Sequence, residues 1–162
     1  RPELRSQIAA DFVGLVPDDF RKFVDGAGLS DVVNYLGYES HSGIVKRMSE
    51  ADVLWLTIGK RPGADGISTG KLYEYFGARR PVLGLVPDGV AREDLIRYGA
   101  AEIADPEDIQ DISRAIASMF DRVSAGSMAA PDDAFVRLFD RRRLAGDLAA
   151  MLNDAVDPES QS

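Results

Sequence analysis

Short apolar runs alternate along the chain with stretches whose apolar residues recur at helical spacing, a rhythm that predicts βαβ units and a parallel sheet. Phe12 to Val16 reads as a strand, Asp18 to Ala27 as a helix closed by Gly28, and Val32 to Leu36 as the next strand. Ser42 to Ser49 reads as a helix and Asp52 to Thr57 as a buried strand, with Trp55 expected in the core. A loop from Ile58 to Gly66 leads to a helix from about Gly70 to Ala78. Pro81 to Leu85 then reads as a strand, Ala91 to Tyr98 as a helix and Ala101 to Ile103 as a short strand. The following helix runs to about Arg122, with Asp105 as its expected N-cap and Pro106 at the first helical position. After a small-residue linker, Ser124 to Pro131, the apolar positions Phe135, Phe139, Leu144, Leu148 and Met151 predict one long helix from Asp132 to Leu152. The expected fold class is α/β: a three-layer α/β/α Rossmann-like domain on a parallel sheet of about five strands, ending in a long C-terminal helix. The domain is expected to span residues 1–155, with 156–162 as a disordered tail.

Composition narrows the possibilities. With 162 residues, 45% of them hydrophobic, the chain can bury one full core. The absence of cysteine excludes disulfides, thiolate metal sites and thiol nucleophiles, and fits a cytoplasmic protein. No apolar run approaches the roughly 20 residues of a membrane-spanning helix. A net charge of −8 without a basic, aromatic-laced stripe argues against nucleic acid as a partner. Arg141 to Arg143, beside Asp140 and Asp147, reads as a solvated helix face. The chain opens on Arg1 with no signal-like segment, which suggests a piece of a longer protein.

The candidate chemistry lies after the third strand. In open parallel sheets, ligands sit beyond the carboxyl ends of the strands. Here that place is a loop bearing Gly59, Gly63, Gly66 and Gly70, whose backbone amides a ligand can approach closely. Ser68 and Thr69 precede a helix start, where anions are favoured. Lys71 in the first turn opposes the helix dipole unless an anion sits there; the alternative is a pair with Glu74 on an exposed face. Glu74 could accept hydrogen bonds from a ribose diol, and Lys60 and Arg61 could reach a diphosphate or be ordinary loop cations. His41 is the only histidine, so no triad or histidine metal cluster can be built. Asp18-Asp19 and Asp132-Asp133 read as helix-start residues rather than metal ligands.

Three stretches then resemble the GT-B glycosyltransferases of the large retaining "group 1" family. They are Ala51-Asp52-Val53-Leu54-Trp55-Leu56, Gly66-Ile67-Ser68-Thr69-Gly70-Lys71-Leu72-Tyr73-Glu74-Tyr75, and Ala78-Arg79-Arg80-Pro81-Val82-Leu83. The family pattern is an apolar strand, a glycine-containing loop, a helix bearing a Glu, and a Gly-x-Pro-Val strand entry. Leu36 to His41 resembles its loop beside the base, and Tyr98 to Ala101 followed by Asp105-Pro106 its later strand and helix start. The likeness runs from about Phe12 to Leu152.

The resemblance implies a donor domain that binds a nucleotide diphosphate sugar and needs no further cofactor or metal. Glu74 would bind the ribose hydroxyls, Gly66, Ile67, Ser68, Thr69, Gly70 and Lys71 the diphosphate, and the Tyr38 to His41 loop would lie by the base. Asp65, offered to the donor sugar, stands nine positions before Glu74, wider than the family's acidic pair. The family's opening strand and glycine-bearing loop are not found before Phe12. An N-terminal acceptor-binding domain would therefore lie outside this sequence, this piece alone would not catalyse transfer, and no catalytic residue is assigned. Contact with a membrane surface would come through that missing domain. A nucleotide-sugar epimerase of the same architecture would share the donor grip. A flavodoxin-like receiver or binding module would use Asp18 and Asp19, but its later Asp and Lys positions are not evident.

Overall fold

The computed structural model describes residues 2–156, and the expected tail beyond Val156 lies outside the described residues. The backbone falls into two compact units, one ending at Glu50 and the other beginning at Ala51.

The first unit opens with a 3-10 helix, Pro2–Gln7, followed by β1 (Ala10–Val13), α1 (Asp18–Gly26), β2 (Val33–Gly37) and α2 (His41–Glu50). β1 and β2 pair in parallel, with Ala10 opposite Val33 and Phe12 opposite Tyr35. The first strand starts and ends earlier than the apolar run Phe12 to Val16 implied. Gly14 takes a φ of 109°, so the backbone leaves the extended region there, and its amide donates to the Gly37 carbonyl at 2.6 Å. Leu15, counted as strand, is in fact fully solvated at 97% exposure. Phe12 packs on Phe20 at 5.2 Å between ring centroids, and the Arg21 guanidinium lies 4.1 Å over the Tyr35 ring. Arg5 ties the 3-10 helix down by hydrogen bonds to the Asp31 carboxylate, at 2.9 Å from Nε, and to the Gly28 carbonyl.

The second unit carries β3 (Leu54–Thr57), a 3-10 turn (Ala64–Gly66), α3 (Gly70–Ala78), β4 (Val82–Leu85), α4 (Val90–Tyr98), β5 (Ala101–Ala104), α5 (Ile109–Ser124), α6 (Asp133–Arg137) and α7 (Arg141–Val156). Its sheet is parallel in the order β3-β4-β5, with Leu54 opposite Val82 and Val82 opposite Ala101. Alternation along β4 divides the unit into layers. Val82 and Val86 join Leu56, Leu72, Phe76, Leu95 and Tyr98 in the main core, whereas Leu83 and Leu85 pack with Ile112 and Ala115 of α5 on the opposite face. Helix, sheet and helix are thus stacked as three layers. Gly84 permits the close packing, since a Cβ there would run into the Leu95 side chain. The α/β, Rossmann-like class expected from the sequence holds, and the five strands divide between a two-stranded and a three-stranded sheet.

The main core is aromatic at its centre. Phe76 stacks on Tyr98 with centroids 4.6 Å apart and meets Phe135 edge-on at 5.4 Å. Tyr98 is completely buried, and its hydroxyl donates to the Arg80 carbonyl at 3.0 Å.

Three sequence expectations are corrected here. Trp55 is 46% exposed rather than core: β3 buries Leu54 and Leu56 and turns the residues between them outward. The N-cap of α5 is Asp108, not Asp105, because the Asp108 carboxylate accepts from the amides of Gln110 and Asp111 at 2.9 and 3.1 Å. The span from Asp132 to Leu152 is two helices. Asp132 caps α6 through the Phe135 amide, and Asp140 accepts from the Arg142 amide at 2.8 Å to start α7 afresh. α7 remains the long final helix, with Leu144, Leu148 and Met151 exposed on it.

Arg79 is the only non-glycine residue with positive φ among the described residues, at 57°, where it closes α3 in the left-handed conformation. Its guanidinium pairs with the Asp133 carboxylate on the surface. Left-handed backbone costs an ordinary residue about 1–2 kcal/mol, and a solvent-screened surface ion pair offsets only part of it. Arg79→Gly should therefore raise stability by about 0.5–1 kcal/mol, and Arg79→Ala, which keeps the strain and loses the pair, should lower it; urea unfolding checks both. Burial pushes the Tyr98 phenol up from its ordinary value of 10.0 to about 12. Because the unfolded chain ionises first, stability should be fully present below pH 10 and fall as pH rises from 10 toward about 12, a slope that Tyr98→Phe removes.

Candidate donor site

The loop between β3 and α3 is shaped by backbone. Gly63 turns it with a φ of 79°, and the Ala64 and Gly66 amides donate back to Arg61 and Gly63 in the 3-10 turn. Ala64 is buried and Ile67 is half-buried against the main core, so the turn is anchored at both ends. Gly89, with φ 132°, lies so close to the backbone of Asp65 that any Cβ would clash. The start of α4 thereby holds the 3-10 turn in place, a role that sequence reading did not assign to Gly89.

Thr69 is the N-cap of α3: its backbone is extended and its hydroxyl accepts from the Leu72 amide at 3.3 Å. The preceding Ser68 hydroxyl is 2.7 Å from the Tyr73 hydroxyl one turn into the helix. Leu72 and Phe76 are both completely buried, which directs the opposite side of α3 outward. Lys71 and Glu74 stand on that exposed side. Among the described residues no ion pair or hydrogen bond joins Lys71 to Glu74, so the pairing read from their spacing is not formed. The Tyr75 phenol is raised above its ordinary range, first by burial and then by the charge of Glu74.

A recess of about 300 Å³ opens beside this helix start, lined by Thr57, Ile58, Gly59, Lys60, Arg61, Ile67 and Thr69. Of the residues singled out in the sequence, Gly59, Lys60, Arg61, Ile67 and Thr69 line it directly. Asp65, Gly66, Ser68, Gly70, Lys71 and Glu74 belong to the adjoining turn and helix. Tyr38, 86% exposed, and His41, the first residue of α2, belong to the first unit.

Lys60 is held rather than free. Its ammonium donates to Asp105 at 2.6 Å and lies 4.0 Å from Glu107. The hydrogen bond to Asp105 raises the Lys60 pKa, and the same bond, with the Glu107 amide, lowers that of Asp105. Asp105 thus serves as the counter-ion of the loop lysine instead of as a helix cap. Arg61, exposed on the same loop, carries no such partner among the described residues.

No family model and no curated protein matches the sequence. Solved structures do. The chain aligns over its full length with the glycosyltransferase WaaG, involved in lipopolysaccharide biosynthesis, with a TM-score of 0.63 and 19% identity. It aligns over 89% of its length with HepE of Anabaena in complex with UDP, with a TM-score of 0.59 and 16% identity. The chain spans only 40% of the WaaG structure and 41% of the HepE structure. At such identities the likeness establishes the fold: the chain has the Rossmann-like α/β fold of one half of a GT-B glycosyltransferase, consistent with the C-terminal half.

Proposed function

We propose that the chain is the donor half of a glycosyltransferase and binds a nucleotide diphosphate sugar at the start of α3. The observation that carries this reading is the outer side of α3, where Lys71 and Glu74 project unpaired beside a capped helix start and a glycine-bearing loop. A carboxylate left unpaired on an exposed helix face suits a diol: both hydroxyls can donate to it in charge-assisted bonds. The Gly66 and Ile67 amides already donate to the Gly63 and Ala64 carbonyls, but the amides of Ser68 to Gly70 and the positive end of α3 suit a diphosphate, and Lys71 then gains the anion that offsets its unfavourable place in the first turn.

Developing charge on a departing diphosphate would be stabilised by groups already in position, which is the main way a protein lowers the barrier for such a transfer. Arg61 extends the cationic lining, while Lys60 can join it only by leaving Asp105. In this reading Asp65 faces the donor sugar. The likeness of the sequence around Glu74 to the group 1 enzymes favours transfer with retention, to an acceptor held by a further domain. The glycosyltransferase WaaG and the UDP complex of HepE among the solved neighbours support the nucleotide-sugar assignment. Among the described residues no helix is long and apolar enough to cross a membrane.

Titration calorimetry with UDP, ADP, GDP and their sugar conjugates tests the proposal. Saturable binding is expected, and Glu74→Gln should weaken it about tenfold or more, the loss that follows from removing hydrogen bonds to a charged acceptor. Binding unchanged in Glu74→Gln, or absent with every nucleotide both here and in a longer form of the protein, would sink it.

A further inference from the structure

The Ser68 and Tyr73 hydroxyls, 2.7 Å apart, form a link whose direction matters. Either hydroxyl can donate by geometry; a phenol is the more acidic of the two, which favours the arrangement in which Tyr73 gives its hydrogen to Ser68 and the serine's own hydrogen is left to point elsewhere. The Tyr73 ring cannot swing away easily. It lies 4.6 Å from the Phe139 ring and 6.2 Å from that of Phe76, both in the aromatic cluster of the second unit. Ser68 is half-buried immediately before the Thr69 cap, between Ile67 and Thr69, which line the recess.

We propose that Tyr73 is a positioning residue of the donor site: its phenol orients the Ser68 hydroxyl so that serine donates its hydrogen to an anionic oxygen of the bound nucleotide diphosphate. The proposal rests on the donor-site reading above. Accepting one hydrogen bond polarises the serine hydroxyl and strengthens the bond it donates, so the pair acts as a short relay. Tyr73 itself touches no ligand, and its effect passes entirely through Ser68. The stacked Phe139 belongs to the connection between α6 and α7, so the orientation of one loop hydroxyl is set by packing from the far end of the chain.

Calorimetry with UDP, ADP and GDP on the wild type, Tyr73→Phe, Ser68→Ala and the double variant tests this. Tyr73→Phe keeps the stacked ring and should leave the unfolding temperature near that of the wild type, yet weaken binding about three- to tenfold. Ser68→Ala should do the same, and the double variant should bind no worse than Ser68→Ala alone, because the tyrosine acts only through the serine. A general loosening of the fold would instead lower the unfolding temperature and add to the serine's effect. Wild-type affinity in Tyr73→Phe, or fully additive losses, would overturn the role of Tyr73 while leaving the donor site standing. A wild type that binds none of the three, here and in a longer form of the protein, would overturn the donor reading and this relay together.

Discussion

Helix α3 has to do two things at once, and the burial of Leu72 and Phe76 decides how. These residues stand four apart and are both completely enclosed, one stripe of the helix locked against β4, α4 and α6. Burying two such side chains contributes roughly 1.5–3 kcal/mol each, enough to fix the rotation of a nine-residue helix that would not persist alone. With that stripe fixed, Lys71 and Glu74 can only face water. The proposed contact with ribose, the anion-favouring helix start and the Ser68 to Tyr73 link all inherit their positions from this one packing constraint.

Electrostatics around the loop work against the chain's net charge of −8. The loop keeps cations near a helix start, yet one of them is already engaged: Lys60 is drawn toward Asp105 and Glu107 at the foot of α5. All three are well solvated, so their attraction is screened and readily exchanged for another anion. Arg61 and Lys71 have no such engagement among the described residues, which leaves them as the cations open to the proposed diphosphate.

Backbone geometry supplies the rest of the site's rigidity. Gly63 turns the loop, and Gly89 allows α4 to approach Asp65 more closely than any side chain would permit. Arg79 shows the opposite compromise. The Gly-x-Pro-Val pattern would have glycine at this left-handed position, and the arginine found there takes on the strain while gaining Asp133 as a partner.

The alternation of apolar runs and helical periods was enough to read the α/β class and to place every strand but the first, and most helices, within a residue or two, because those signals are local: side-chain period, glycine and proline punctuation, and acidic residues at helix starts. The loop from Gly59 to Gly70 was legible for the same reason. The misreadings share a different cause. Leu15 looked like strand until the φ of Gly14 turned the chain, Trp55 looked like core until the register of β3 chose which face to bury, and Asp105 looked like a cap until Lys60, 45 residues away, took its carboxylate. Asp140 restarting the last helix and Phe139 stacking on Tyr73 are of the same kind. The amino-acid sequence by itself determined which segments are strands and helices and where the glycine-bearing loop after β3 lies. Only the tertiary structure decided which face each segment buries and which charge meets which, since those depend on residues brought together across the fold and leave no period in the chain.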